Sequence, residues 1–561
     1  MRSLGALASL SLVSGAFAAP TNSSAVLPVV DLGYELYRAA AFNQTAGYYN
    51  FSNIRYAQPP TGDLRFREPQ PPKTDRSVVH DGSDGRVCPQ ADPAWNLVAA
   101  QWLPQYLISG TLKNVSRTVS PAIISNYTLT RDPRENEDCL FLDVIVPQQV
   151  YDNAKNGTGA PVLVWIYGGG YTGGNKISGN PIELLSRGKG SYSDGAIYVA
   201  MNYRLGAFGW LAGPTFQEDG TANAALYDQR LALKWVQDNI HLFGGDKDRV
   251  TVFGESAGGG SIMHQITAWG GREAAPFQQA IPQSAGWFPS ASPEKQETTF
   301  QEFLSLLNVS TLDEVRKLPS KALIAANALQ VANSDYGQFT YGPQVDGNFV
   351  PADPKTLLNH GQFDQNVTLL VGHNENEGLL FAPPLTDSDG YLTFVKDLVP
   401  SAKSTIIDYI VNTLYPAVFD GSYGYRDEIQ RAALTLAEAG FTCNAAALDW
   451  AFDNQTYAYL FAIPPAIHGQ DVPYTYYTPG GPAAASFVPL DTNVTVAHAL
   501  QDFIMTFAET GTPSSLVPGV PVFRMFGAGA NVERLGVSGI KEAVDPAANE
   551  RCKWWLKQLI Y

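Results

Sequence analysis

One serine stands in a setting that could make it a nucleophile. Gly254-Glu255-Ser256-Ala257-Gly258 matches the pattern G-x-S-x-G, and the match occurs once in the chain. A hydroxyl held at the apex of a strand-to-helix turn has a strained backbone, and glycine on either side removes the Cβ atoms that would crowd it. Attack on a carbonyl builds negative charge on oxygen, so hydrogen-bond donors must be in place beforehand. Trp165-Ile166-Tyr167-Gly168-Gly169-Gly170 supplies them, and the backbone N–H groups of Gly169, Gly170 and Ala257 are assigned as the oxyanion hole. The chemistry is acyl transfer by a serine. It needs no metal or cofactor, and the sequence has neither zinc-ligand spacing of His and Cys nor a phosphate-binding Gly-Lys-Ser/Thr loop.

Such a motif works only on the right elements. The central third alternates apolar strands with amphipathic helices, the pattern of a sheet covered on both faces. Val162 to Tyr167 and Ala196 to Asn202 read as strands. A helix begins near Asn223, carries Leu226, Leu231, Leu233, Trp235, Val236 and Ile240 at near-helical spacing, and stops at Gly244-Gly245. Val250 to Phe253 is a short buried strand that runs directly into Gly254, so the order is strand, tight turn, helix. Val367 to Val371 and Tyr457 to Ile463 read as later strands, separated by a mostly helical region between Ile406 and Phe452.

The chain has 561 residues, of which 45% are hydrophobic, and a formal net charge of -16. It is apolar enough to fold around a sizeable core, and its acidic balance without a basic stretch excludes a nucleic-acid partner. Met1-Arg2, an apolar run from Leu4 to Val13 and Ala16-Phe17-Ala18 follow the order of a secretory signal peptide over residues 1–18, cleaved after Ala18. No later apolar segment is long enough to span a bilayer, so a secreted, extracellular protein without integral membrane association is expected. Sequons at Asn22, Asn43, Asn50, Asn114, Asn126, Asn156, Asn308, Asn366, Asn454 and Asn493 mark candidate glycosylation sites. Four cysteines in an exported chain imply two disulfides, with three pairings open from sequence alone.

Beyond the elbow, the chain resembles the type-B carboxylesterase/lipase family, the cholinesterase-like branch of the α/β-hydrolases, and most of all its secreted fungal members. The residues that carry the resemblance are Gly62-Asp63-Leu64-Arg65-Phe66, Glu137-Asp138-Cys139-Leu140, Gly168 to Gly170, Asn202-Tyr203-Arg204-Leu205-Gly206, Asp228-Gln229-Arg230-Leu231-Ala232-Leu233, Phe243-Gly244-Gly245-Asp246 and Gly254 to Gly258. The resemblance runs nearly end to end. It implies an α/β-hydrolase fold: a large, mostly parallel central sheet flanked by helices, in one domain over 19–561, with a flap at about 88–139 and a helical insertion at about 385–452.

The same resemblance implies a triad in the order Ser, Glu, His. Asn374-Glu375-Asn376-Glu377-Gly378 fits the family's acid setting and makes Glu377 the candidate, with Glu375 its nearby rival. His468-Gly469 fits the histidine position, whereas His498 sits in a helix-like setting and His264 follows the elbow too closely. Ser256, Glu377 and His468 are thus the expected catalytic residues. Cys88 is expected to pair with Cys139, and Cys443 with Cys552. Arg65 with Glu137, and Arg204 with Asp228, match buried structural ion pairs.

The implied substrate is a small-molecule or lipid ester. The family's choline-binding Trp is replaced by loop residues near Thr128 and Leu129, and the aromatic expected after Glu377-Gly378 is Leu380, followed by Phe381. A cation would lose its aromatic faces, so neutral esters are expected. Trp287 and Phe288 are candidate acyl-pocket residues. A lipase would need an apolar lid underside, for which Trp95, Leu97, Val98, Trp102, Leu103 and Leu107 are the candidates. Esters of one secondary metabolite are a further possibility, and a non-catalytic adhesion protein of the same fold is the remote alternative.

Overall fold

A computed structural model describes residues 27–557 apart from 111, 113–123, 125–131, 156, 158, 189–194, 289–290 and 481–491. The expected signal peptide, the sequons at Asn22, Asn114, Asn126 and Asn156, and Thr128 and Leu129 lie outside the described residues. Of the other sequons, Asn308 and Asn366 are exposed and Asn43, Asn50, Asn454 and Asn493 half-buried.

Fourteen strands are described: β1 (Val29–Asp31), β2 (Leu36–Arg38), β3 (Ala41–Asn43), β4 (Tyr48–Arg55), β5 (Val79–His80), β6 (Phe141–Pro147), β7 (Ala160–Ile166), β8 (Ile197–Met201), β9 (Gly245–Glu255), β10 (Gln279–Gln283), β11 (Thr368–Asn374), β12 (Tyr457–Ala462), β13 (Asn531–Gly536) and β14 (Gly539–Val544). Three of them, β1, β2 and β5, make a small separate sheet. The other eleven form the central sheet in the order β14-β13-β12-β11-β10-β9-β7-β8-β6-β4-β3. From β8 through β7, β9, β10, β11 and β12 to β13 every pairing is parallel, and antiparallel strands close both ends. This is the α/β-hydrolase architecture implied above. Strands β7, β8 and β12 are buried along their whole length, as parallel strands covered by helices on both faces must be.

Local boundaries follow the side chains. The helix expected from Asn223 runs from Ala224 to Asn239, tightens into a 3-10 turn over Ile240–Phe243, and ends at Gly244 with φ 87°. That left-handed residue lets the chain turn straight into β9, which therefore starts earlier than the short apolar run suggests. Two disulfides, Cys88–Cys139 and Cys443–Cys552, close spans of 51 and 109 residues.

Arg65 donates to both oxygens of Glu137 at 2.8 Å, and Arg204 to both of Asp228 at 2.7 Å, all four side chains being buried. Removing one partner of such a pair costs about 3 to 5 kcal/mol, because the other charge remains in the core. Most large apolar residues of the helix Trp95–Ser109 face inward, while Ile108 near its end is exposed. Trp95, Val98, Trp102 and Leu103 are buried in a second core formed with residues of the 379–446 region, such as Phe381, Leu436 and Phe441.

Candidate active site

The ends of β9, β10, β11 and β12 bring the candidate residues together. Ser256 follows β9 and has φ 58° and ψ -121°, strained for any residue with a side chain. Its N–H donates to the carbonyl of Gln283 at the end of β10, and its own carbonyl accepts from Gly260 and Gly286. The turn is therefore fixed from two sides. Ala257 begins the helix Ala257–Ile266, so its N–H is one of the unpaired donors of a first helical turn. A Cβ on Gly258 would lie 2.0 Å from the carbonyl oxygen of Ile166, the last residue of β7, which leaves glycine as the only fit.

Gly169 and Gly170 follow β7 with φ 116° and 61°. A Cβ on Gly170 would sit 2.2 Å from the ring of Phe339, so that ring lies directly on the glycine. Ser256, Ala257 and Gly170 open into a cavity of about 700 Å³. Its aromatic lining includes Trp287, Phe288, Phe339, Phe381 and Phe441, and Lys295, Asp335 and Asp397 also reach it.

Glu377 follows β11 and is fully buried. His468 Nδ1 lies 2.5 Å from Glu377 Oε2. The other oxygen, Oε1, accepts from the Asn374 N–H at 2.5 Å, Asn374 Nδ2 at 3.3 Å and Ser284 Oγ at 2.6 Å. Asn374 Nδ2 also donates to Asp471 Oδ1, whose second oxygen accepts from Tyr459. The orientation of the carboxylate is thus set before the ring meets it.

On the far side of the ring, Nε2 lies 3.2 Å from Glu255 Oε1, with neither atom in hydrogen-bond geometry. Among the described residues no hydrogen bond joins Nε2 to Ser256 Oγ, a contact that often tightens only in the complex with substrate. Burial penalises every charge here. It raises Glu255 above the usual carboxylate range, opposed by the His468 cation and reinforced by Asp471 and Glu377. For Glu377 burial is outweighed by His468 and the donors from Asn374 and Ser284, so its carboxyl is held low. For His468 burial is outweighed by Glu255 and Glu377, which raise the ring above its ordinary 6.5.

The rival residues are placed elsewhere. Glu375 is half exposed and pairs with Arg534 at 3.0 Å. His498 lies within the helix Val494–Thr510, and His264 is buried with Nδ1 2.8 Å from the carbonyl of Gly260. Sequence reading did not single out Glu255, Ser284, Asn374, Asp471, Phe339 or Phe441. Asn374 and Glu255 lie inside the quoted motifs and could have been found there; the others depend on tertiary approach.

A model of the carboxylesterase family matches residues 38–555. The chain is 41% identical to "Carboxylesterase patB" of Aspergillus clavatus, over 98% of each chain. It is 32% identical to a "Secreted lipase" of Arthroderma benhamiae over 68% of this chain and 72% of that one. The crystal structure of Aspergillus niger EstA superposes with a TM-score of 0.77 at 25% identity, covering 94% of this chain and 98% of the other.

Proposed function

The chain belongs to the carboxylesterase family and is a carboxylic-ester hydrolase, and from that premise we propose that it is an exported serine esterase acting on neutral esters through an acyl-enzyme on Ser256. Ser256 Oγ attacks the ester carbonyl and its proton passes to His468 Nε2. The oxyanion is held by the N–H groups of Gly169, Gly170 and Ala257, and the imidazolium is stabilised by Glu377. Collapse breaks the bond to the alcohol, which leaves with the proton from Nε2. Water then attacks the acyl-enzyme by the same route, releasing the acid and restoring Ser256.

The observation that carries this reading is the buried His468–Glu377 hydrogen bond set behind a strained serine that opens into the cavity. The domain reading goes with it: a signal segment 1–18, then one domain over 19–561 with a flap at about 88–139 and an insertion at about 385–452. Export is supported by the two disulfides and by a relative named as secreted.

Esterase rather than lipase is favoured by the helix Trp95–Ser109, which uses Trp95, Val98, Trp102, Leu103 and Tyr106 in the core and leaves only Ile108 of its large apolar side chains exposed to meet an oil surface. With p-nitrophenyl esters of increasing acyl length, the highest kcat/KM is expected at short chains, with no jump in rate where the substrate passes its solubility limit. An interfacial jump would establish the lipase reading, and efficient turnover of acetylcholine would overturn the preference for neutral esters.

The charges around His468 also fix the sign of the pH dependence. The base must be neutral to accept the serine proton, and its neighbours favour the protonated ring, so activity is lost as pH falls through a value above 6.5. Glu255→Gln removes one of those charges and is expected to move the acid limb of kcat/KM to lower pH. A limb that stays in place would show that Glu255 does not act on the ring.

A further inference from the structure

His468 is held by more than its carboxylates. The Phe441 ring lies with its centroid 4.3 Å from the imidazole and the Phe381 ring 5.1 Å from it, while the two phenyl rings stack on each other at 5.3 Å. Both phenyl rings line the cavity. Phe381 follows from its place just after Glu377. Phe441 arrives differently, on a π-helical turn, Glu438–Thr442, inserted between the helices Glu428–Ala437 and Cys443–Ala451.

A π turn adds one residue to the helical repeat and rotates the faces on its two sides by about 100° relative to each other. This turn is fixed at both ends. Glu438 accepts from Arg551 at 2.7 and 2.8 Å, from Asn549 at 3.0 Å and from Tyr415 at 2.5 Å, and Cys443 is bonded to Cys552. The Gly440 carbonyl accepts from the Trp287 N–H at 3.1 Å and Asn444 Nδ2 at 2.8 Å. The charged groups facing the imidazole are Glu377 beyond β11, Glu255 at the end of β9 and Asp471 three residues along the chain, and the two phenyl rings pack against it as uncharged neighbours.

We propose that Phe441 is a positioning residue: the π turn, locked by the C-terminal helix Glu550–Lys557, presses its ring on His468 so that the imidazole keeps its orientation and its cationic form is stabilised during the reaction. A π face favours imidazolium over imidazole, as it does other cations. This rests on His468 being the base.

In the full disulfide-bonded protein, Phe441→Leu is expected to lower kcat for p-nitrophenyl acetate roughly threefold to thirtyfold with KM within about twofold. It is expected to move the acid limb of kcat/KM to lower pH, while Phe441→Tyr stays near wild type in both. Arg551→Gln changes no cavity wall. It is expected to shift the limb in the same sense by less, and it carries the test if Phe441→Leu does not fold. An unmoved pH profile, or a raised KM at unchanged kcat, overturns the proposal. Ser256→Ala and His468→Ala, assayed alongside, separate the two levels. If both are inactive while the Phe441 variants match wild type, the triad stands and the clamp falls. If either is active, the triad falls and the clamp with it.

Discussion

Ser256→Ala is expected to lower kcat on any ester substrate by on the order of 10⁶-fold, leaving only what the oxyanion donors and binding supply. The change removes Oγ and little else. Alanine retains the Cβ, so the left-handed backbone at 256 persists, and the Ser256 N–H and carbonyl keep their partners at Gln283, Gly260 and Gly286. Thermal stability should therefore stay close to wild type, which makes the loss a statement about chemistry alone. Comparing kcat and Tm for purified wild type and variant tests both halves. Residual activity above about 10⁻² of wild type would place the nucleophile at another residue.

Glu377→Gln should cost nearly as much, about 10⁴-fold in kcat, with KM little changed. The reason lies in the three donors gathered on Oε1, two from Asn374 and one from Ser284. They require an acceptor, so the glutamine oxygen must take that side and its NH₂ must face His468 Nδ1. The ring is then forced to carry its proton on Nε2, where it cannot accept one from serine. Glu375→Gln serves as the control. That carboxylate pairs with Arg534 at the surface, and its loss should leave kcat within about twofold. Equal effects from both variants would overturn the assignment of the acid.

Much of this was legible in the residues. The strand into Gly254 and the glycine run after Trp165 placed two components of the site, and the apolar runs located five of the seven strands in the parallel run, β10 and β13 excepted. The antiparallel ends were less visible. β14 is largely exposed, and neither it nor the mostly buried β13 carries the apolar runs that mark the centre. The inner ring of the site was least visible, because Phe339 lies in a loop and Phe441 on a π turn, where no regular period places a side chain on a face. Ser284 was hidden for another reason: its hydroxyl reaches Glu377 only because β10 and β11 are neighbours in the sheet, although 93 residues separate the two positions.

The backbone of Ser256 also bears on how such a protein would change over generations. At φ 58° a glycine would sit with less strain than the serine does. With Ser256 as the proposed nucleophile, drift toward greater stability at this position runs directly against retention of activity. In a lineage released from the need to hydrolyse esters, this serine would be among the first residues to go, and the fold would be firmer for its loss.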